Sequence, residues 1–201
     1  MRPLLRYLVA GSLLVLGGCS GLQTPQPDRQ SWHQQRTQVA QLQNWSASGK
    51  IALRTAEQAE SGSLVWQQSG VSTHIRLTGP LGFSATTLDS DGEQLEIRQG
   101  DDYSRWALDD PALADNEVWG LPLRALHYWL KGIPAPQIPV DAITLDASGN
   151  LPSEITQQGW VVEYQDFGQF GRFTLPTKLH LHRGDVSARI LLRQWQGFPP
   201  P

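Results

Sequence analysis

Two histidines stand at a spacing that could bind a metal ion. His180 and His182 are two residues apart in a segment of alternating polarity, so they share one face of a predicted strand. Leu179 and Leu181, which alternate with the histidines, require the core side of that strand. No third ligand lies nearby in the sequence. We therefore interpret the two histidines as part of a solvated outer face and predict no metal site.

Paired acids are the other candidates for catalysis. Asp101-Asp102 and Asp109-Asp110 supply adjacent carboxylates of the kind used in general acid–base chemistry. Adjacent residues on a strand point to opposite faces, and in loops such residues are usually just solvated. The sequence contains no Gly-x-Ser-x-Gly elbow, phosphate-binding loop or His-Glu-x-x-His motif. These observations predict a protein that is not an enzyme.

The N-terminal segment has the pattern of a secretory signal peptide. Arg2 and Arg6 precede an apolar stretch, Tyr7 to Leu16, and two small residues, Gly17 and Gly18, follow it. The stretch has about ten residues, whereas a membrane-spanning helix needs roughly 20. We predict that residues 1–18 form a removable signal peptide.

Cys19 is the only cysteine, which excludes an internal disulfide. Leu16-Gly17-Gly18-Cys19 resembles the lipobox of bacterial lipoproteins. That resemblance implies diacylglycerol on the Cys19 thiol, cleavage before Cys19 and a further acyl chain on the new amine; no other cofactor is expected. Two or more chains give stable membrane anchoring. The alternative is a plain secreted protein with a stray thiol, but the position of the cysteine favours lipidation.

Residues 19–30 form the lipidated N-terminus and a flexible tether, because the segment is polar and contains Pro25 and Pro27. Ser20 follows the cysteine, where enterobacterial lipoproteins retained in the inner membrane carry Asp. By this resemblance we expect a location in the outer membrane, facing the periplasm.

Residues 31–201 have the length and composition of a single domain. Hydrophobic residues make up 39% of the chain, too many for a disordered protein. The formal net charge is −3 and charged residues make up 17%, which argues against nucleic acid as a partner.

Period-2 alternation of apolar and polar residues predicts about ten strands joined by short turns. They cover residues 49–55, 61–69, 71–78, 83–88, 94–99, 138–145, 149–157, 159–166, 175–183 and 186–195. Two helices are predicted: one over Trp32 to Leu42 with Ser31 as its N-cap, and one over Leu121 to Lys131 with Pro122 in its first turn. The predicted fold is mainly β with α, an open antiparallel β-barrel whose helices cover the mouth.

The inward positions of these strands define candidates for an apolar pocket. Eight tryptophans are present, and each is explained either by core packing or by a cavity lined with aromatic groups. The acyl-chain cavity candidates, chosen from the strand pattern, are Leu64, Trp66, Ile75, Leu77, Ile97, Leu179 and Ile190.

A tight turn with an unusual tip follows the third predicted strand. Gly79-Pro80-Leu81-Gly82 combines a fixed φ at Pro80 with the conformational freedom of Gly82. A leucine at a hairpin tip either folds back onto the core or protrudes. From the residues alone, folding back is favoured.

Several segments together resemble the LolB family, outer-membrane receptors that insert lipoproteins. They are the lipobox, Trp66-Gln67-Gln68, Gly79-Pro80-Leu81-Gly82, and Leu121-Pro122-Leu123 continuing to Trp129, Gly132 and Pro134. The resemblance extends from Trp32 to Trp195. It implies an unclosed antiparallel barrel of about eleven strands with helices as a lid, and an apolar cavity that takes acyl chains from the soluble carrier LolA.

The resemblance also implies that Leu81 projects into solvent as a membrane-insertion loop, against the preference from the residues alone. The expected partners are a LolA-type periplasmic carrier, acylated lipoprotein cargo and outer-membrane phospholipid, and we expect a monomer. Two alternatives stay open at this point. One is an anchored carrier for another apolar small molecule, and the other is a structural lipoprotein of envelope assembly with a filled core.

Overall fold

The computed structural model describes residues 31–79, 85–114, 116 and 121–197. In these ranges the chain forms eleven strands and three helices. In chain order they are α1 (Trp32–Ala40), β1 (Asn44–Arg54), β2 (Ala59–Ser69), β3 (Ser72–Thr78), β4 (Thr86–Ser90), β5 (Gln94–Gln99), β6 (Asp102–Ala107), α2 (Pro111–Ala114), α3 (Leu123–Trp129), β7 (Ala142–Leu145), β8 (Pro152–Gln157), β9 (Trp160–Phe170), β10 (Phe173–Arg183) and β11 (Val186–Gln196).

The strands form one antiparallel sheet in the order β6-β5-β4-β3-β2-β1-β11-β10-β9-β8-β7. The order is linear, so within the described residues the sheet does not close into a full barrel. Its two halves are meanders, β1 to β6 and β7 to β11, and they meet where β1 pairs with β11. This confirms the predicted open antiparallel architecture.

Alternating polarity along most strands decides which face of the sheet is buried. On β2, Leu64 and Trp66 are buried on the inner face, while Val65 between them is exposed on the outer face. On β10, Leu179 and Leu181 are buried and the intervening His180 lies on the outer face. The inner face therefore carries the hydrophobic core.

Helix α1 begins after Ser31, its predicted N-cap, which also takes part in a capping box. The Ser31 hydroxyl accepts from the Gln34 backbone N–H, and the Gln34 side chain accepts from the Ser31 N–H. Val39 is buried in the core, and the Gln35 amide donates to the Thr174 carbonyl oxygen at 2.6 Å. The helix is thereby attached to the start of β10.

Helix α3 is shorter than predicted and begins at Leu123, with Pro122 as its N-cap. Leu123, Leu126 and Trp129 are buried on its inner side. The turn that ends this segment contains Gly132 at φ 76°. The left-handed backbone at Gly132 favours glycine, and a Cβ there would be crowded at 3.2 Å from the Pro176 ring.

The helix is held in place by a buried polar group of the second meander. Gln157 is fully buried, and its amide oxygen accepts from Trp129 Nε1 at 2.8 Å and from the Ala135 N–H at 2.9 Å. Its amide nitrogen donates to the carbonyl oxygens of Ala135 and Ile138. Tyr164 adds a hydrogen bond from its hydroxyl to the Trp129 carbonyl oxygen at 2.9 Å.

Periodicity alone predicts ten strands, one fewer than the described residues contain, because it indicates no strand at β6. In the structure Asp102 begins β6 and pairs with Gln99. The strand is at the sheet edge and none of its residues is buried, so it lacks a clear apolar face. β7 and β8 are also shorter than the predicted 138–145 and 149–157. The strand predicted over 83–88 begins at Thr86 as described; residues 83 and 84 lie outside the described residues.

Candidate functional site

An apolar cavity of about 460 Å³ lies between the first meander and α3. Its volume is in the range of known small-molecule sites, roughly 300–1,000 Å³. The apolar side chains that line it are Ile51, Leu53, Ala59, Leu64, Trp66, Ile75, Leu77, Leu88, Leu121, Leu123, Leu126 and Ile190.

Strand register places the wall residues side by side. Leu64 on β2 lies opposite Leu77 on β3, and Trp66 lies opposite Ile75. Ile75 is in turn opposite Leu88 on β4. Directly opposed Cβ atoms on a sheet are about 5 Å apart, so these side chains form a continuous apolar surface.

Gly62 is part of the same wall and marks a close approach of backbone. A Cβ at this position would lie 2.6 Å from the Thr78 carbonyl oxygen. Gly62 lies opposite Ile51 on β1, and both residues line the cavity. The lack of a side chain at Gly62 lets the β3 backbone approach β2 closely at this point.

The polar residues of the lining show where the cavity opens. Glu60 is at the start of β2, Thr78 at the end of β3, Thr86 at the start of β4 and Gln99 at the end of β5. In an antiparallel sheet these four strand ends lie along the same side, the edge formed by the ends of the strands and not by an outermost strand. Gly79 also lines the cavity, so the mouth is at the edge where the chain passes from β3 to β4.

Helix α3 forms the opposite wall through Leu123 and Leu126. Its C-terminal end is tied to the start of the sheet, because Lys131 Nζ donates to the Leu42 carbonyl oxygen at 2.9 Å. Burial lowers the pKa of Lys131 to about 8. Burial, and then the nearby Lys131 charge, lower the pKa of His127 to about 4, against its hydrogen bond with the Leu123 carbonyl. His127 is therefore neutral at pH 7.

Five of the seven residues predicted to face a cavity line this one: Leu64, Trp66, Ile75, Leu77 and Ile190. Ile97 and Leu179 are buried in the core and are not part of its lining. Of the predicted turn, Gly79 is described and lines the cavity. Pro80, Leu81 and Gly82 lie outside the described residues, as does Cys19, and their predicted roles stay predictions.

Several lining residues were not among the sequence candidates. Ile51 and Leu53 alternate with Lys50 and Arg54, so the same pattern that selected Leu64 would have found them. The leucines of α3 needed the position of the helix over the sheet, which periodicity along the chain does not supply.

The histidines and paired acids that were considered for metal binding and catalysis interact with neighbouring residues of the fold. His180 Nδ1 is 2.9 Å from Glu163 Oε2 on the outer face. Asp110 Oδ1 accepts from the Ala112 N–H at the start of α2. Across the described residues, no three His, Cys, Asp or Glu side chains are grouped as for a metal ion. Likewise, no helix in the described ranges has the length and hydropathy to cross a bilayer.

The fold and the cavity define an open-barrel protein with an apolar internal site, a class suited to holding hydrophobic groups. The family model described as outer membrane lipoprotein LolB matches residues 43–195. The chain belongs to this LolB family.

Relatives agree with this assignment, and a solved structure shows the same fold. The outer-membrane lipoprotein LolB of Alkalilimnicola ehrlichii is 36% identical over 197 residues, covering 96% of this chain and 98% of the relative. That of Pseudomonas aeruginosa is 32% identical over 196 residues, covering 94% and 95%. A LolA superfamily protein of Nitrosomonas europaea has the same fold at 9% identity, with a TM-score of 0.52 over 85% of this chain and 95% of its own.

Proposed function

We propose that this protein is an outer-membrane-anchored receptor that accepts acylated lipoproteins from a LolA-type periplasmic carrier. It inserts them into the inner leaflet of the outer membrane. Family membership supports the class of activity. The observation that carries the proposal is the apolar cavity between the first meander and α3, open at one edge of the sheet.

The physical need for such a site follows from the chemistry of the cargo. Three acyl chains with roughly 48 carbons would cost on the order of 38 kcal/mol to leave in water, at about 0.8 kcal/mol for each CH₂. The chains must therefore pass from one apolar environment to the next without free exposure. No covalent bond changes in such a transfer, so its rate and direction depend on binding.

Direction comes from differences in affinity. The cavity must hold the acyl chains more tightly than the carrier does and less tightly than the bilayer. Leu64, Trp66, Ile75, Leu77 and Ile190 are proposed to contact the chains, together with the leucines of α3. The lipid on Cys19 keeps the receptor at the membrane that receives the cargo.

The turn after β3 is proposed to contact the membrane during release. Gly79 lines the cavity at its mouth and β4 begins at Thr86, so the connecting segment starts and ends at this edge. We expect Leu81→Glu to keep the fold and the uptake of cargo and to impair release into membrane. Loss of acyl-chain binding in that variant would instead assign Leu81 to the pocket.

Filling the cavity tests the proposal directly. Leu77→Trp places a larger side chain in the lining, where Leu77 is only partly buried and has space beside it. Val71→Trp is the matched control, because Val71 is exposed in the turn between β2 and β3 at the opposite edge. Each variant is mixed with a carrier-bound acylated lipoprotein, and the cargo associated with each protein is measured after separation.

We expect Leu77→Trp to take up much less cargo than Val71→Trp, with both variants folded by circular dichroism. A folded Leu77→Trp protein that accepts cargo as well as the control would overturn the proposal. Indifference of the unaltered protein to this cargo would favour the two alternatives, a carrier of another apolar molecule or a structural lipoprotein.

A further inference from the structure

The outer face of the sheet carries a group of exposed cations that the cavity does not use. They are Lys50 and Arg54 on β1, Arg76 on β3, Lys178 on β10 and Arg189 on β11. These five residues are named the basic patch. None of them forms an ion pair with another described residue. Lys50 donates to the neutral Ser63 hydroxyl at 2.9 Å.

Strand register makes the patch continuous. Lys50 lies opposite Leu191 on β11, and Leu191 lies opposite Lys178 on β10. Neighbouring strands are about 4.8 Å apart, so the two lysine Cα atoms are about 10 Å from one another. From β3 to β10 the patch covers four such spacings, or about 19 Å.

Acidic residues lie on both sides of the patch. On β9, Asp166 lies opposite Lys178. On β4, Asp89 is already paired with His74 and Arg98. Between the cations of β1 and β3, β2 presents uncharged residues. Because Asp89 is already paired, the five cations leave the patch with a net positive charge.

The patch adjoins the mouth of the cavity. Arg54 is the last residue of β1, at the same edge of the sheet as Glu60 and Thr78. Arg76 is two residues before Thr78, after which the chain leaves β3. A surface bound to this patch would consequently be close to the cavity opening.

Two exposed apolar side chains lie among the cations. Leu191, 36% exposed, stands between Lys50 and Lys178, and Val65, 37% exposed, lies opposite Arg76. Cations beside exposed aliphatic groups match a phospholipid surface, where phosphates attract the charges and the interface accepts the apolar side chains. This combination favours a lipid surface over an acidic protein.

We infer that the basic patch binds anionic phospholipid headgroups and so holds the cavity mouth against the membrane surface. This contact is electrostatic and separate from the acyl anchor, so it weakens as salt screens the charges. It uses a different surface from the cavity and requires neither cargo nor carrier.

Vesicle binding tests the inference. The chain from residue 19 onward, with Cys19→Ala to prevent acylation, is mixed with vesicles of phosphatidylethanolamine with or without phosphatidylglycerol. We expect phosphatidylglycerol to increase binding of the unaltered protein. The double variant Lys50→Gln, Lys178→Gln should reduce this increase about 25-fold, or about fivefold for each cation removed. Arg36→Gln with Arg105→Gln is the control, because it removes the same charge from exposed positions outside the patch.

The outcomes separate the possible partners. Equal losses in the two double variants would show a general effect of net charge and overturn the inference, as would binding that ignores phosphatidylglycerol. A patch variant that binds vesicles normally but receives less cargo from the carrier would assign the patch to a protein partner instead. Failure of the cavity proposal would leave vesicle binding unchanged, so the two proposals fail independently.

Discussion

Lys131 gives a quantitative test of how α3 is attached to the sheet. Its side chain is 4% exposed, its ammonium donates to the Leu42 carbonyl oxygen at 2.9 Å, and the charge lies 5.1 Å from the centre of the Tyr128 ring. No carboxylate among the described residues is paired with it. Burial accordingly lowers the pKa of Lys131 from 10.5 to about 8.

This shift makes the stability of the protein depend on alkaline pH. Above about pH 8 the folded protein releases the proton while the unfolded chain keeps it up to about pH 10.5. The unfolded state then binds more protons, so the free energy of unfolding rises with pH. Between about pH 7 and pH 9.5 the expected rise from this residue is about 2 kcal/mol.

Urea unfolding followed by tryptophan fluorescence measures this effect. Lys131→Met removes the titrating group and should remove the rise, while Lys178→Met, at an exposed lysine, should keep it. The range stops below pH 10 because burial raises the pKa of Tyr164 well above its usual value, and that phenol contributes an opposite slope at higher pH. If Lys131→Met retains the alkaline rise of the unaltered protein, the explanation of this buried charge is wrong.

Two further predictions concern the same helix. Gln157→Leu should lower the free energy of unfolding by about 2–4 kcal/mol, because Trp129 Nε1 and the Ala135 N–H lose their buried acceptor; urea titration against the exposed Gln194→Leu checks this, and a cost equal to that control would contradict it. His127 has a pKa of about 4 in the folded protein, so between about pH 6.5 and pH 4 the unfolded chain binds a proton that the folded protein does not. The free energy of unfolding should therefore fall by about 2 kcal/mol over this range, once solvent screening is allowed for. His127→Gln should flatten that acid dependence in the same titration, and an unchanged profile would refute the assignment.

Strand alternation predicted most of the sheet because most of its strands have one buried face. β10 shows such a pattern, because its buried Leu179 and Leu181 alternate with His180 and His182, and the strand covers the predicted residues. The missed strand, β6, has no buried residue and pairs with only one neighbour. Its position depends on hydrogen bonding to β5, and a pattern of polarity along the chain does not record that interaction.

The cavity was predictable only in part for a different reason. Inward orientation is a property of single strands, so Leu64 and Ile97 look alike in the sequence. Whether an inward side chain meets packed neighbours or open space depends on where α3 lies. That position is set by Gln157 and Tyr164 of the second meander, residues that are remote in sequence from the helix.

The strand order has a consequence for how the molecule folds. Each neighbouring pair in the sheet joins strands that are consecutive in the chain, except β1 with β11. Hairpins of both meanders can form from local contacts, which favours rapid early folding. β1, however, lacks one of its two partners until β11 has joined it. Until then the first meander presents an open strand edge, which the eleven residues of β11 cover.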